Sequence, residues 1–101
     1  NDFSGPIAES DFVTAYVGLL STVRGYYPAA HIFCVSWESW GATAQGYIAT
    51  AIAAFGDAAV SEVPFVVDAN DGWGCDYHPG QTMQAKLGAE LASAIQATMG
   101  W

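Results

Sequence analysis

The sequence predicts an α/β fold with a parallel β-sheet, and three observations support this prediction. Helical and strand-like segments alternate along the chain in the order helix, strand, helix, strand, helix. The second strand-like segment is apolar on both faces, which is typical of a parallel strand covered by helices on both sides. The length of 101 residues suits one small domain, in which right-handed crossovers would join the parallel strands.

The first half of the chain predicts one helix and one strand. A helix from about Ser10 to Tyr26 is indicated by apolar residues at helical spacing, namely Phe12, Ala15, Tyr16, Leu19, Leu20 and Val23. Pro28 ends this helix because it cannot continue the hydrogen-bond pattern. The run HIFCVS over His31–Ser36 is rich in β-branched and aromatic residues and predicts a buried strand.

The second half of the sequence predicts a helix, a strand and a final helix. A helix from Thr43 to Phe55, ended by Gly56, is indicated by one apolar face made of Tyr47, Ile48, Ala51, Ile52 and Phe55. The run VPFVV over Val63–Val67 predicts the second strand. A loop from Asp68 to Gln81 then leads into a third helix, whose apolar stripe is Met83, Leu87, Leu91, Ala94 and Ile95.

A sheet of two parallel strands would be incomplete by itself. Both of its edges would lack hydrogen-bond partners, and isolated strand pairs are only marginally stable in water. The sequence is also apolar for a small domain, with 52% hydrophobic and 12% charged residues where about a quarter would normally be charged. We therefore expect upstream strands of the same sheet to cover part of this surface.

The charge of the chain excludes several classes of partner. Arg24 and Lys86 are its only basic residues apart from histidine, and the net charge is −8. Nucleic acids and anionic membrane surfaces require clusters of lysine and arginine, so we expect neither as a partner. The sequence contains no apolar run of the roughly 18 to 20 residues that would span a membrane, and it does not begin with a signal-peptide pattern.

The loop after the second strand is the candidate functional site. In α/β folds, ligands bind in loops that follow the carboxyl ends of parallel strands. Asp76 and His78 lie in this loop, between Gly74 and Pro79, which restrict its backbone. A histidine oriented by a carboxylate or a carbonyl can act as the general base for a serine hydroxyl. A histidine considered alone would more often cap a helix or pack against a neighbour such as Trp73.

Two segments resemble blocks of the SGNH (GDSL) hydrolases, and most closely those of carbohydrate esterase family 2. The run GCDYHP at residues 74–79, followed by an amphipathic helix, resembles the block that supplies the catalytic histidine. The first four residues, NDFS, resemble the tail of the Gly-x-Asn-Asp block, whose asparagine donates to the oxyanion. The elements between them follow the family's order, so the resemblance covers nearly all of residues 1–101.

The resemblance implies a partial fold and a reaction. Residues 1–101 would form the C-terminal half of a three-layer α/β/α, flavodoxin-like SGNH domain, from the oxyanion block to the last helix. The implied activity is that of a secreted, serine-dependent carbohydrate O-acetylesterase, such as an acetyl xylan esterase, acting on cell-wall polysaccharides or oligosaccharides. No Gly-Asp-Ser block occurs in the sequence. We therefore expect the isolated chain to be inactive without the N-terminal half of the same domain.

The resemblance also assigns roles to individual residues. The implied catalytic residues are His78, Asp76 and Asn1. The aromatic side chains expected to contact an acetylated carbohydrate are Tyr77, Trp73, Trp37 and Trp40. No cofactor is implied.

A metal site is not expected either. The residues Asp68, Asn70 and Asp71 begin like a calcium loop, but the glycine and the glutamate that an EF-hand requires are missing. His31 lies at a strand start, away from the candidate loop, and is expected to be structural. The two histidines have no zinc-ligand pattern around them.

Three points stay open. The two-residue spacing between Asp76 and His78 allows either the carboxylate or a backbone carbonyl to orient the ring, and we favour the carboxylate. Cys34 and Cys75 suit either one disulfide or two buried thiols. The alternative functions are a carbohydrate-binding module that uses loop aromatics without chemistry, and a stand-alone α/β domain whose likeness is only structural.

Overall fold

The structure, a computed structural model, describes residues 6–37 and 41–101 and has the predicted α/β architecture. Its helices and strands are, in order, α1 (Glu9–Tyr26), β1 (Ile32–Trp37), α2 (Gly41–Phe55), β2 (Val60–Phe65) and α3 (Gln81–Met99). Short 3-10 turns at Ala69–Asp71 and Cys75–Tyr77 lie between β2 and α3. Among the described residues, β1 and β2 form a parallel two-stranded sheet, which confirms the predicted fold class.

The chain divides into two compact units, Asn1–Pro64 and Phe65–Trp101. The first unit contains α1, β1, α2 and all of β2 except its last residue. The second unit contains the loop after β2 and α3. Within the described residues, no helix combines the length and the apolar character needed to cross a membrane.

The first unit is organised around an apolar core. α1 packs against α2, and α2 packs against β1. The buried residues of this core are Phe12, Leu20, Cys34, Ile48 and Val60. The ring of Phe12 stacks on Tyr16 at a centroid distance of 5.5 Å and meets Tyr47 at 5.8 Å. The apolar positions that predicted α1 and α2 therefore meet in one cluster, which is the usual source of helix stability in small domains.

At one end of this unit, the side chain of Arg24 forms several hydrogen bonds. Its Nε donates to Oδ2 of Asp57 at 2.7 Å, and Nη1 donates to the carbonyl oxygen of Ala30 at 2.5 Å. Nη2 donates to the carbonyl oxygen of Ala59 at 3.3 Å. The pKa of Asp57 is lowered, first by the backbone N–H of Ala59 and then by Arg24. One guanidinium thus joins the end of α1 to the segments that precede both strands.

The second strand differs from the prediction by about three residues. The apolar run predicted Val63–Val67, whereas β2 spans Val60–Phe65. Val66 lies outside the strand with 67% of its surface exposed. The prediction followed hydrophobicity and therefore passed over two polar residues, Ser61 and Glu62, that belong to the sheet.

Cross-strand partners explain why these polar residues lie in β2. Oγ of Ser61 is 2.8 Å from Nε2 of His31, just before β1. Oγ of Ser36, which is completely buried, donates to Oε1 of Glu62 at 2.6 Å. A buried polar group is tolerated when it has such a partner. His31 is thus held against the sheet in the first unit, as expected for a structural histidine.

The second unit is built on α3. Met83 and Leu87, one turn apart, are the buried residues of this helix. The helix ends at Gly100, whose φ of 73° is left-handed and whose N–H donates to the carbonyl oxygen of Gln96 at 2.9 Å. This is the common glycine termination of a helix. The loop that precedes α3 is attached to this helix by side-chain contacts.

Candidate functional site

The candidate loop folds into a tight hairpin over residues Gly72–Gly80, which we call the histidine hairpin. The N–H of Gly74 donates to the carbonyl oxygen of His78 at 2.7 Å. The N–H of Gly80 donates to the carbonyl oxygen of Gly72 at 3.0 Å, and Trp73 forms an antiparallel bridge with Pro79. These bonds join the two arms of the hairpin, with His78 near the end of the second arm.

The close approach of the two arms requires glycine at one position. A Cβ atom on Gly80 would lie 2.6 Å from the carbonyl oxygen of Gly72 and 3.1 Å from its carbonyl carbon. Real Cβ atoms do not approach backbone oxygen so closely, so any larger residue would push the arms apart. Gly72 itself has a φ of 84°, a conformation that glycine adopts without steric cost. The sequence predicted that Gly74 and Pro79 restrict the backbone of this loop. In the structure the backbone is restricted along both arms of the hairpin.

The tip of the hairpin has an unusual backbone. Asp76 has φ 53° and ψ 43°, and Tyr77 has a φ of 56°, so two consecutive non-glycine residues are left-handed. Such a conformation costs on the order of 1 to 3 kcal/mol per residue and persists only where the surroundings enforce it. It is less unfavourable for aspartate than for tyrosine. The bonds between the arms enforce it here and set the direction of the Asp76 carbonyl.

That carbonyl faces the histidine ring. Nδ1 of His78 lies 3.0 Å from the backbone oxygen of Asp76. A carbonyl can only accept a hydrogen bond, so Nδ1 is the donor and carries the proton. Nε2 of the neutral ring is then the basic atom, and it has no hydrogen-bond partner among the described residues. The carboxylate of Asp76, which we favoured from the sequence, is not the group that meets Nδ1.

The aromatic side chains of the hairpin are exposed. Tyr77 is 87% exposed and Trp73 is 41% exposed. Trp37 ends β1 in the first unit and is half-buried. The other two predicted site residues, Asn1 and Trp40, lie outside the described residues. The structure thus brings Trp73, Asp76, Tyr77 and His78 together in one hairpin and describes Trp37 only within its own unit.

The acidic segment before the hairpin forms a turn of its own. Oδ1 of Asp68 accepts hydrogen bonds from the backbone N–H of Asn70 at 2.9 Å and from its side-chain Nδ2 at 2.8 Å. These bonds, the backbone one first, lower the pKa of Asp68. Asp71 pairs with Lys86 at 2.5 Å. Among the described residues, no group of three or more histidine, cysteine or acidic side chains could hold a metal ion.

The two cysteines are free thiols. Cys34 is buried in the first unit, where burial raises its pKa, and Cys75 is exposed in the hairpin. The disulfide that the sequence left open is therefore not formed in the structure. The other alternative, two buried thiols, holds for Cys34 alone.

Two α3 residues that attach the hairpin were missed by the sequence analysis. The side-chain Nε2 of Gln84 donates to the carbonyl oxygen of Pro79 at 3.1 Å, and Lys86 reaches Asp71. Lys86 gave one usable signal, because it is the single basic side chain near the acidic residues of the loop. Gln84 gave no signal, since its partner is a backbone atom.

Comparison with curated proteins identifies a relative of this chain. No protein-family model matches the sequence. The chain is 36% identical over 110 aligned residues to the cellulase/esterase CelE of Acetivibrio thermocellus. The match takes in 100% of this chain and 14% of that protein.

Two solved structures are similar in fold and sequence. One is a family two carbohydrate esterase from Clostridium thermocellum in complex with cellohexaose, with a TM-score of 0.88 and 34% identity. The other is a carbohydrate esterase family 2 enzyme with a carbohydrate-binding domain from Corynascus thermopiles (Myceliophthora fergusii), with a TM-score of 0.83 and 31% identity. Each match covers 100% of this chain, which spans 34% and 35% of the two solved chains.

Proposed function

Because this chain is related over its whole length to enzymes of carbohydrate esterase family 2, we propose that it forms part of a serine-dependent carbohydrate esterase and supplies the catalytic histidine, His78. The observation that carries this proposal is the hydrogen bond from Nδ1 of His78 to the Asp76 carbonyl, at 3.0 Å. It leaves Nε2 as a base on an exposed residue of the hairpin. A general base requires both this tautomer and this access.

The proposed reaction is a two-step acyl transfer. Nε2 of His78 takes the proton of a serine hydroxyl as its oxygen attacks the ester carbonyl carbon. The resulting imidazolium gives that proton to the oxygen of the departing sugar alcohol, which leaves an acyl-serine. Water then attacks the acyl-serine with His78 again as base, releasing the acid and restoring the serine. The serine belongs to a segment outside residues 1–101, so the isolated chain would not complete the cycle.

The Asp76 carbonyl takes the orienting role in this scheme. Its oxygen accepts from Nδ1 in both the neutral and the protonated ring, so the ring keeps one orientation throughout the cycle. A neutral carbonyl stabilises the imidazolium less than a carboxylate would. We therefore propose a serine–histidine pair whose histidine is held by the main chain.

The substrate we propose is an O-acetylated cell-wall polysaccharide or oligosaccharide. Support comes from the relatives, which are carbohydrate esterases, one of them solved with cellohexaose. Tyr77 and Trp73 are exposed in the same hairpin as His78, and flat sugar faces could stack on their rings. The side chain of Asn1 would donate to the oxyanion, and the enzyme would be secreted to reach such polymers.

The test uses the complete protein that contains this chain. It should hydrolyse acetyl esters of xylan or cello-oligosaccharides, and residues 1–101 alone should not. His78→Ala should reduce kcat by on the order of 10⁴-fold or more with folding intact. The other histidine offers a matched control, because His31→Ala lies in the first unit and should retain activity.

Two results would contradict the proposal. One is a loss of less than tenfold in His78→Ala. The other is a complete protein that binds carbohydrate at full strength with and without His78 but hydrolyses no ester, which would favour the binding module. If ester hydrolysis were found in the cells and not in the culture medium, only the proposed secretion would be contradicted.

A further inference from the structure

The histidine hairpin has little packing of its own. Every residue from Gly72 to His78 is exposed, and Pro79 is the one buried residue of the hairpin. Its internal hydrogen bonds fix its shape but leave open how the hairpin as a whole is held. Because its tip is left-handed at Asp76 and Tyr77, something must also oppose its opening.

Two side chains of α3 contact the hairpin and the residue that directly precedes it. Nε2 of Gln84 donates to the carbonyl oxygen of Pro79 at 3.1 Å, on the arm that carries His78. Nζ of Lys86 donates to Oδ1 of Asp71 at 2.5 Å, immediately before the other arm. Both contacts lie within the second unit. Both start from one helix, and one ends in the second arm of the hairpin while the other ends at the residue before the first arm.

The Lys86 contact joins a lysine that is 56% exposed to a carboxylate that is nearly buried. The side chain of Asp71 is only 11% exposed, so Lys86 supplies the counter-charge for a nearly buried carboxylate. The hydrogen bond to Asp71 raises the pKa of Lys86, so its charge persists at every pH at which an esterase would work.

We propose that Gln84 and Lys86 are positioning residues for His78. By holding the second arm of the hairpin and the residue before its first arm on α3, they fix the carbonyl of Asp76 against Nδ1 and so fix the ring tautomer. This inference deepens the proposed function and rests on it. Neither side chain touches the reacting groups. Removing either should loosen the hairpin and let the ring exchange between tautomers, without unfolding α3.

The first measurement reads the ring itself. In the complete protein labelled with ¹⁵N-histidine, His78 signals are assigned by their loss in His78→Ala. The parent should show an Nδ1–H tautomer. Gln84→Ala and Lys86→Met should each shift the ring toward a mixture of tautomers. Lys86→Arg should restore much of the parent signal, since arginine keeps the charge and the donors. Gln96→Ala is the matched control, because it changes the same residue type elsewhere on α3.

The second measurement reads catalysis. A displacement of a catalytic group by about 1 Å can cost on the order of 10²-fold in rate, so kcat should fall by about 10- to 100-fold in both variants. KM should change little, because neither residue is placed against substrate. A residue that only stabilised the fold would change the amount of folded protein and leave the kcat of the folded fraction and the tautomer unchanged.

The results distinguish failure of the positioning role from failure of the proposed function. If Gln84→Ala and Lys86→Met both fold and both keep the parent tautomer, the positioning role is overturned, whatever the activity. If Lys86→Met does not fold, the double variant Asp71→Asn/Lys86→Met replaces it, since that pair removes the contact without leaving an unpaired carboxylate. If the parent hydrolyses no ester, the proposed function fails, while the ¹⁵N measurement still decides whether these residues hold the ring.

Discussion

In the first unit, side chains from α1, α2 and both strands share one buried apolar core, whereas in the histidine hairpin every residue from 72 to 78 is exposed. The first unit therefore gets its shape from burial, which is non-directional and tolerant of small changes. The hairpin gets its shape from hydrogen bonds, two α3 side chains and close backbone contact. Directional contacts of this kind set the orientation of a ring more narrowly than packing does.

This difference predicts what a mutation in each region will change. Truncating a core side chain removes buried area and leaves a cavity, so the cost appears as stability. Adding one methyl group to the hairpin at Gly80 removes no buried area, but it displaces the backbone that carries His78. We therefore expect mutations in the first unit to affect unfolding, and mutations in the hairpin to affect the position of the ring.

The largest effect is expected from the core. Leu20, with 2% of its surface exposed, lies on the buried face of α1. Leu20→Ala should lower the free energy of unfolding by about 2 to 5 kcal/mol, as measured by denaturant titration. Its neighbour Leu19 is 54% exposed and serves as control, since Leu19→Ala should change stability by about 0.5 kcal/mol or less. Equal losses in the two variants would contradict the division between core and surface on α1.

Gly80→Ala tests the hairpin. The added Cβ must move the arm that carries His78, because the Gly72 carbonyl oxygen would be 2.6 Å away. Turnover in the complete protein should fall by about 10²-fold, while the thermal midpoint changes little. Gly88 lies within α3 with open space around it, so Gly88→Ala should leave turnover unchanged. Full activity in Gly80→Ala would mean that the close approach does not position the ring.

Asp76→Asn tests which atom orients the ring. Since the backbone carbonyl meets Nδ1, the substitution should keep the tautomer and reduce turnover less than tenfold. Asparagine also tolerates the left-handed backbone of this position. A loss of about 10⁴-fold would instead support the carboxylate role that we favoured from the sequence. The measurement is kcat of the folded variant, with His78→Ala as the reference for complete loss.

Acid should weaken both units slightly, and for the same reason. The pKa values of Asp57 in the first unit and Asp68 in the second are lowered by backbone N–H groups. A lowered folded-state pKa contributes stability above the unfolded value of about 3.9, and that stability is lost as pH falls through the folded value. Unfolding followed between pH 7 and pH 2 should therefore show declining stability below about pH 4. Asp57→Asn and Asp68→Asn should each make that decline shallower.

The sequence alone was enough for the order of elements and for the relationship to carbohydrate esterases. Helical spacing marked α1, α2 and α3, because an amphipathic helix must repeat its apolar residues to bury one face. The motif GCDYHP predicted a relationship with carbohydrate esterase family 2, and the comparisons confirm it. The boundaries of β2 were the weak point, since Ser61 and Glu62 belong to a strand only through partners that are distant in the chain.

The local chemistry of the site was also determined by sequence: a histidine beside an aromatic residue, with glycine and proline around it, in the loop after the last strand. Only the tertiary structure decided that the Asp76 carbonyl, and not its carboxylate, meets Nδ1 of His78. It also decided that Gln84 and Lys86 hold the loop. The physical reason is that sequence spacing specifies which groups are near one another, whereas the backbone dihedral angles and contacts across the fold specify which atom points where.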